Sequence, residues 1–405
     1  MDNPWSPPSF REPSYWPFDC LVFDCLFLFL LFEFGQMSMR PDRTPHFQPL
    51  LNETTFGGHA LVDRTLYSLG CFNQATQCPN CHSSVKFEIS TTKKINDEER
   101  VYVKSSLRCC KKNCRVHVSL FEKTIWKDVG ERILFVFVVG AFINRWSTTT
   151  VAAMTGSRED TISKYLRLIK NAIHVEVEAT KKDMVLGESG RVQIDESHVF
   201  TRKYGVGRVP GTLTHGWVFG IIEDNPFGRL FIMMVKLRNR ETLEKIIYDH
   251  VQRNTMIFSD SWSAYQHLRQ DGYQHYQVNH KKHFIEIQDE VVSKEELDER
   301  IRGQMAAIEE WGDDAEDTED QEPERVLAVN TQRIERAWRE VKRGLVGQPL
   351  SLLRRNLNVE MFRFNNLRSN MSFEEKRNVV LRVIGKHQAK IEELNKLAFS
   401  IYDEN

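Results

Sequence analysis

The pattern of hydrophobic and polar residues divides the chain into a β-rich start, a helical middle and a region where strands and helices alternate. Residues 85–90 (VKFEIS) and 100–107 (RVYVKSSL) alternate apolar and polar positions, which predicts two strands. Residues 131–180 have the spacing of helices throughout. Residues 187–285 predict the order β-β-β-α-β-α-β, and a helical region follows from about residue 328. The pattern therefore predicts an α/β fold with a mixed sheet.

Two aspartates lie on strands that this pattern predicts to be buried. Asp195 belongs to the strand GRVQIDESHVF, where Val192 and Ile194 alternate with polar residues. An unpaired carboxylate there is costly, so a cation is expected to compensate it. Asp260 directly follows the apolar run TMIFS and precedes a helix predicted over residues 261–272. It is either a metal ligand or an ordinary helix cap.

A third acid comes from the helix predicted in VNTQRIERAWREVKRGL, residues 329–345. Glu335 lies beside the apolar stripe of that helix, and Lys342 follows two turns later on the same face. Three carboxylates that converge suit two Mg²⁺ or Mn²⁺ ions. Taken singly, each acid could be a strand-end, capping or solvated residue, and Glu196 and Glu340 are adjacent alternatives. The apolar stripe is predicted to consist of Ile334, Ala337, Trp338 and Val341.

The cysteines are concentrated in one region. Six of the eight lie between residues 71 and 114. CPNC at 78–81 is a metal-binding turn, and RCCKKNC at 108–114 offers a second pair after the predicted strands. This arrangement predicts a zinc ribbon in a reducing compartment. The predicted zinc ligands are Cys78, Cys81, Cys109 and Cys114, with Cys110 as the alternative to Cys109 and Cys71 as a structural residue.

Residues 147–170, STTTVAAMTGSREDTISKYLRLIK, have the spacing of a helix-turn-helix. A short helix buries Val151, Gly156 makes the turn, and Ser157 is predicted to cap the second helix. The second helix could enter a major groove of DNA; a pair of packed helices with solvated basic residues is the alternative. The candidate DNA-binding residues on its exposed face are Arg158, Thr161, Lys164 and Arg167.

Charge is distributed unevenly, although the net charge is only −1. Residues 286–324 contain 17 acidic and 3 basic residues, so the rest of the chain carries +13. The end of this acidic insert has few apolar residues and is expected to be disordered. A basic body favours a polyanionic partner such as a nucleic acid, and a solvated surface of mixed charge is the alternative. With the helix-turn-helix, the expected partner is double-stranded DNA.

The N-terminal extension, residues 1–44, has an uncertain role. Its longest apolar run, residues 25–32, is far shorter than the roughly 20 residues that a membrane-spanning helix needs. Asp19 and Asp24 disfavour a signal peptide. We therefore expect no membrane anchor and a functional start near Met37 or Met39.

The predicted strand order resembles the ribonuclease H-like fold of polynucleotidyl transferases, in which the first and fourth strands are neighbours. The motifs VQIDES, IFSDSWSAYQHL, YQHYQVNHKKHF and TQRIERAWREVKRGL resemble, in order, the core motifs of Merlin-type DDE transposases, which have bacterial insertion-sequence relatives. The likeness covers about residues 70–370 and includes CPNC, RCCKKNC and SLFEKTIWKD.

The resemblance implies cleavage of DNA at transposon ends and attack of the freed 3′-hydroxyl on target DNA. It places Asp195, Asp260 and Glu335 on the catalytic positions, Lys342 on a basic position that contacts phosphate, and His280 on a recurrent histidine without an assigned role. It also implies zinc and end recognition by the helix-turn-helix. Two departures stand out: the family's His-Thr-Asn is replaced here by NTQ at 330–332, and 75 residues separate Asp260 from Glu335.

Together these observations predict a ribonuclease H-like catalytic core, a mixed sheet in the order β-β-β-α-β-α-β-α, preceded by a zinc ribbon and a helix-turn-helix. We expect an active transposase that forms a homo-oligomer, nuclear if the source is eukaryotic and cytoplasmic otherwise. The alternatives are a catalytically silent DNA-binding relative and a nuclease that does not join strands. The predicted domains are the extension (1–44), the zinc module (45–128), the helix-turn-helix (129–182), the catalytic domain (187–285 and 325–370), the acidic insert (286–324) and a helical tail (371–405).

Overall fold

A computed structural model of the chain describes residues 56–96, 98–122, 124–127, 129–199, 216–260, 265, 267–279, 284–287, 290–293, 331–345 and 350–394. All of them belong to one compact unit. The predicted N-terminal extension, His280 and most of the acidic insert lie outside the described residues. Among those that are described, no helix is long and apolar enough to span a membrane.

The β-rich start consists of one helix followed in the chain by a three-stranded antiparallel sheet. Both predicted strands are confirmed, and both are longer than the pattern indicated. Asp63 on the helix is buried and binds Arg132 and Ser105, so a paired charge joins this sheet to the helical region. The elements are α1 (Phe56–Ser68), β1 (Val85–Asn96), β2 (Glu98–Cys109) and β3 (His117–Val118).

The middle of the chain is helical, as predicted, with α2 (Arg132–Ile143), α3 (Thr148–Thr155) and α4 (Glu159–Lys181). Gly156 turns the chain between α3 and α4 in the left-handed conformation, with φ of 66°. The prediction that Ser157 caps α4 is wrong. The cap residue is Arg158, whose carbonyl accepts from the amides of Thr161 and Ile162, because Ser157 is still in the turn and donates its own amide to the Thr155 hydroxyl.

A seven-stranded mixed sheet forms the centre of the second half, in the order β10-β9-β8-β7-β4-β5-β6. β4 is antiparallel to β5 and parallel to β7, so the first and fourth predicted strands are neighbours, as expected. The elements are β4 (Arg191–His198), β5 (Trp217–Glu223), β6 (Leu230–Val235), α5 (Arg240–His250), β7 (Met256–Asp260), β8 (Gln274–Asn279), β9 (Phe284–Ile287) and β10 (Glu290–Ser293).

Two predictions in this region need correction. Residues 261–264 and 266 of the predicted helix lie outside the described part, and residues 267–272 form successive tight turns that end at Gly272 with φ of 86°. In addition, β9 and β10 form a hairpin that reaches into the segment predicted to be a disordered acidic insert. The net charge of the insert hid the short apolar runs FIEI and EVVS at its start.

Three further helices complete the fold: α6 (Gln332–Leu345), α7 (Leu353–Asn366) and α8 (Phe373–Leu394). One face of the sheet buries α5 in the main apolar core. The other face receives α6 and α7, as contacts of Gly220 with Trp338 and of Ile232 with Met361 show. α8 belongs to the region predicted as a tail, yet it packs on the first half of the chain, where the Leu381 carbonyl accepts from the Cys71 thiol.

Candidate active site and metal centre

Asp195 and Asp260 lie at the same end of two neighbouring parallel strands. The pair Gln193–Phe258 is matched across β4 and β7, and each aspartate lies two residues further along its strand. Because side chains alternate along a strand, both carboxylates are on the sheet face that receives α6. Both residues are half-buried. Two of the three predicted acids are therefore neighbours because of strand order and register.

Helix α6 is fixed on this face by two polar contacts with β4. The side-chain oxygen of Gln193 accepts from the backbone amides of Arg333 and Ile334, at 3.0 and 3.1 Å. The indole N–H of Trp338 donates to Oδ2 of Asp195 at 2.9 Å. The apolar stripe predicted for this helix is confirmed: Ile334, Ala337, Trp338 and Val341 are all buried.

Glu335 lies on the first turn of α6, between these two contacts, and is exposed. The hydroxyl of Thr331 donates to its Oε1 at 3.3 Å. Burial raises the pKa of Asp195 to about 6; the Trp338 N–H opposes this rise, and the charges of Asp260 and Glu335 add to it. The charges of Asp260 and Glu335 thus act on Asp195, and a bound cation would favour its ionised form.

Glu196, the adjacent alternative, is on the other face of β4 because the strand alternates. Burial, together with the charges of Asp260 and Asp195, raises its pKa to about 8, and the charge of Arg238 opposes this rise. Its Oε1 is buried and has no hydrogen-bond partner among the described residues. Arg238 stacks on the ring of Trp217 at 3.5 Å. Asp195, not Glu196, therefore faces α6 and Glu335.

The acid group, Asp195, Asp260 and Glu335, offers the ligands that a hard divalent cation prefers, namely carboxylate oxygens. The two aspartates lie towards the carboxyl ends of two central strands. Within the described residues, only the cysteine group described below brings three or more ligand atoms within 4.8 Å of one another. Asp195, Asp260 and Glu335 do not bring three ligand atoms that close together. The structure aligns the two aspartates on neighbouring strands and places Glu335 on the helix that packs against them.

Lys342 is on α6, seven residues after Glu335, and is half-buried. Three other basic residues of the same helix are exposed: Arg336, Arg339 and Arg343. Helix α6 therefore presents positive charge next to the acid group. A polyanion that lay along the helix would bring a phosphate close to the acids.

Three residues of this site were not predicted from the sequence: Gln193, Gly220 and Thr331. Gly220 is matched with Asp195 across β4 and β5, and it lies under Trp338. A methyl group at this position would be 2.6 Å from Cζ2 of Trp338. The sequence did indicate that Trp338 makes a polar contact, because the N–H of a buried tryptophan usually needs a hydrogen-bond acceptor.

Gly220→Ala is expected to displace Trp338 and break its bond to Asp195. Overpacking of this kind costs about 1–3 kcal/mol of the free energy of unfolding, and a shift of a catalytic group by about 1 Å can lower a rate about 100-fold. Thermal unfolding and metal-dependent DNA cleavage would measure both effects. Gly130→Ala is the matched control, because a methyl group there has no atom within 4 Å. Equal cleavage by Gly220→Ala and wild type would contradict the role of this contact.

The second candidate site is the cysteine group at the end of the β1–β2 pair where β1 begins and β2 ends. Cys78, Cys81, Cys109 and Cys114 bring their sulfur atoms within 4.8 Å of one another, and the group could hold a metal ion. The sulfurs of Cys78 and Cys114 are 3.8 Å apart, and those of Cys81 and Cys109 are 3.5 Å apart. Four sulfurs bound about 2.3 Å from a tetrahedral ion lie about 3.8 Å from one another. Cys110, the alternative to Cys109, is exposed and outside the group.

Two tight turns hold these cysteines. His82, with φ of 56°, follows the first pair, and its amide donates to the Cys78 carbonyl. In the second turn the Lys111 amide donates to the Cys109 sulfur at 3.4 Å. Hydrogen bonds from the backbone and side chain of Ser83 lower the pKa of Cys81 to about 6, whereas burial raises the pKa of Cys109 to about 12. Without a metal ion, Cys81 therefore favours the thiolate, the form that binds metal, and Cys109 favours the thiol.

The candidate DNA-binding residues lie on or next to α4. Lys164 and Arg167 are exposed on the helix, and Thr161 is half-buried. Arg158, at the cap position, is 85% exposed and is 3.4 Å from Asp160, which is 89% exposed. Such an exposed ion pair contributes little, so a phosphate could replace the Asp160 carboxylate. The basic surface of α4 is therefore accessible for DNA.

Comparison with protein families gives one match. Residues 188–295 match the model of the ISXO2-like transposase domain. This range contains Asp195, Asp260 and all strands from β4 to β10, whereas Glu335, the cysteine group and α4 are outside it. Neither the curated proteins nor the solved structures gave a match. The family match supports a DDE transposase of the ISXO2-like type.

Proposed function

We propose that this protein is a metal-dependent DNA transposase that cleaves DNA at transposon ends and joins the 3′ ends to target DNA. The observation that carries the proposal is the position of Asp195 and Asp260 on neighbouring parallel strands, with Glu335 supplied by a helix bonded to the same strand. Both aspartates lie within the matched transposase domain. The antiparallel β6-β5-β4 group followed by parallel β7 and β8 supports a ribonuclease H-like core.

In this proposal Asp195, Asp260 and Glu335 hold two Mg²⁺ or Mn²⁺ ions. When bound, the ions activate the attacking oxygen and stabilise the leaving one. Trp338 restrains Asp195 through Oδ2, and Thr331 restrains Glu335 through Oε1. Lys342 and the exposed arginines of α6 bind the phosphates next to the scissile bond. The Merlin-type assignment remains part of this proposal and rests on the sequence motifs.

We also propose that DNA ends are recognised by the first half of the chain. The four cysteines would hold Zn²⁺ in a zinc ribbon, and α4 would enter a major groove with Lys164 and Arg167 against DNA. The +13 charge outside the acidic insert supports binding to DNA in general. Sequence selectivity would come from side chains of α4 that reach base edges.

Cut-and-paste transposition requires two DNA ends in one complex, so the proposal includes a homo-oligomer. We expect light scattering of the protein bound to end DNA to give the mass of a dimer or a larger assembly. A monomer on each DNA end at all protein concentrations would contradict this part of the proposal without affecting the cleavage site.

The decisive experiment uses labelled DNA that carries the repeats flanking this gene, incubated with protein and Mg²⁺ or Mn²⁺ together with an unlabelled target plasmid. Cleavage at the repeat ends followed by labelled joined products would support the transposase. Repeat binding without cleavage would favour the catalytically silent DNA-binding protein, and cleavage without joining would favour a nuclease. Either of these two results would overturn the proposal.

A further inference from the structure

Gln193 is a polar residue in the middle of β4, and its side chain is completely buried. It lies on the same face as Asp195, two residues earlier. A buried amide is tolerated only where hydrogen bonds satisfy it. Its oxygen accepts from two backbone amides of α6, those of Arg333 and Ile334. The side chain thus joins two elements that are 140 residues apart in sequence.

These two amides need an acceptor from outside the helix. The first four N–H groups of a helix have no carbonyl partner within it. α6 begins at Gln332, so Arg333 and Ile334 are its second and third residues, and the amide of Glu335 already donates to the Thr331 carbonyl. The acceptor for such amides is usually the side chain of the residue just before the helix. At the start of α6 the acceptor is the side chain of Gln193 on strand β4.

The contact restrains where Glu335 can be. Gln193 holds the start of α6 on β4, and Trp338 holds the helix one turn after Glu335 on Asp195 of the same strand. With both contacts made, α6 can neither slide along β4 nor turn about its own axis without breaking one of them. Glu335 is between the two fixed points and acts on Asp195 electrostatically.

We propose that Gln193 is a positioning residue: through the two amides it presents Glu335 to Asp195 and Asp260. The inference rests on the proposed function, because it concerns the third acid of the same site. It predicts that an acceptor at position 193 is needed, whereas an apolar side chain of similar size is not sufficient. A glutamate keeps an acceptor and suits the positive end of a helix.

The test compares Gln193→Met, Gln193→Glu and Asn365→Leu with wild type. Asn365 is the matched control, because its side chain also makes two bonds across to the sheet, with the amide and carbonyl of Leu230, but away from the acids. Hydrogen–deuterium exchange of residues 332–338 reports the attachment of α6. Binding of Mn²⁺, measured by electron paramagnetic resonance on the full-length protein, reports the acid group independently of turnover.

For Gln193→Met we expect faster exchange at the start of α6 and Mn²⁺ affinity lowered about 10- to 100-fold, the usual effect of losing a group that orients metal ligands. Cleavage of end DNA should fall at saturating DNA, because the change affects the reacting site and not DNA binding. Gln193→Glu should restore slow exchange and Mn²⁺ binding. For Asn365→Leu we expect wild-type exchange at the start of α6 and wild-type Mn²⁺ affinity.

Unchanged exchange in Gln193→Met would overturn the proposal, as would faster exchange with wild-type Mn²⁺ affinity, since the contact would then be structural only. A loss of affinity in Asn365→Leu equal to that in Gln193→Met would also overturn it. Wild-type protein that neither binds Mn²⁺ nor cleaves DNA would instead refute the proposed function, while exchange of α6 would still report the Gln193 contact separately.

Discussion

Asp260→Asn is expected to abolish metal-dependent cleavage and to leave DNA binding close to that of wild type. Asn has nearly the same size as Asp, and β7 is paired on both sides, so the strand should remain in place. The charge that a divalent cation requires is lost. Metal ions supply several kcal/mol of transition-state stabilisation, so the rate should fall by at least about 1,000-fold. Cleavage of repeat-bearing DNA and a gel-shift assay on the same DNA measure the two effects.

The matched control for this change is Asp249→Asn, an exposed aspartate on α5, across the sheet from the acid group. It makes the same change in net charge without touching β4, β7 or α6. We expect wild-type cleavage and binding from this variant. Cleavage by Asp260→Asn at the wild-type rate would remove Asp260 from the catalytic group. Weaker binding in Asp260→Asn alone would indicate that Asp260 supports the DNA surface and not the chemistry.

The sequence predicted the features that depend on local pattern. Alternation placed Asp195 and Asp260 on strands. The resemblance to the ribonuclease H-like fold implied that these strands are neighbours, which the structure confirms. Helical spacing identified the buried stripe of α6, including Trp338. Cysteine spacing identified the four sulfurs that lie together. The strands and the stripe of α6 were predictable because their periodicity is visible within a few residues of the chain.

The features that the sequence did not predict depend on contacts between distant segments. Nothing near Gln193 indicates that its partners are the amides of Arg333 and Ile334. The small size needed at Gly220 is set by Trp338, which α6 brings to β5. For these two residues packing between elements, and not local preference, decided the outcome. The β9–β10 hairpin was missed for a different reason, because charge dominated the average of its segment.

Cys78→Ser is expected to remove the bound metal and unfold the sheet of β1, β2 and β3. Cys78 is completely buried, and its sulfur is 3.8 Å from that of Cys114. Metal binding in small zinc modules contributes about 10–16 kcal/mol, which is folding free energy. If wild type holds zinc as proposed, we expect the variant to lack it, measured by mass spectrometry of metals, and to show faster hydrogen–deuterium exchange in residues 71–120.

Cys110→Ser is the matched control, because Cys110 adjoins the same turn but is exposed and outside the sulfur group. It should retain metal and wild-type exchange, whereas wild-type metal content in Cys78→Ser would contradict the ligand assignment.

Binding to end DNA then separates the two halves of the proposal. Cys78→Ser should lose binding to end DNA, because the sheet is attached to the helical region that contains α4. Asp260→Asn should bind end DNA and fail to cleave it. If Cys78→Ser bound end DNA normally after losing its metal, recognition would have to reside in α4 and the catalytic half alone.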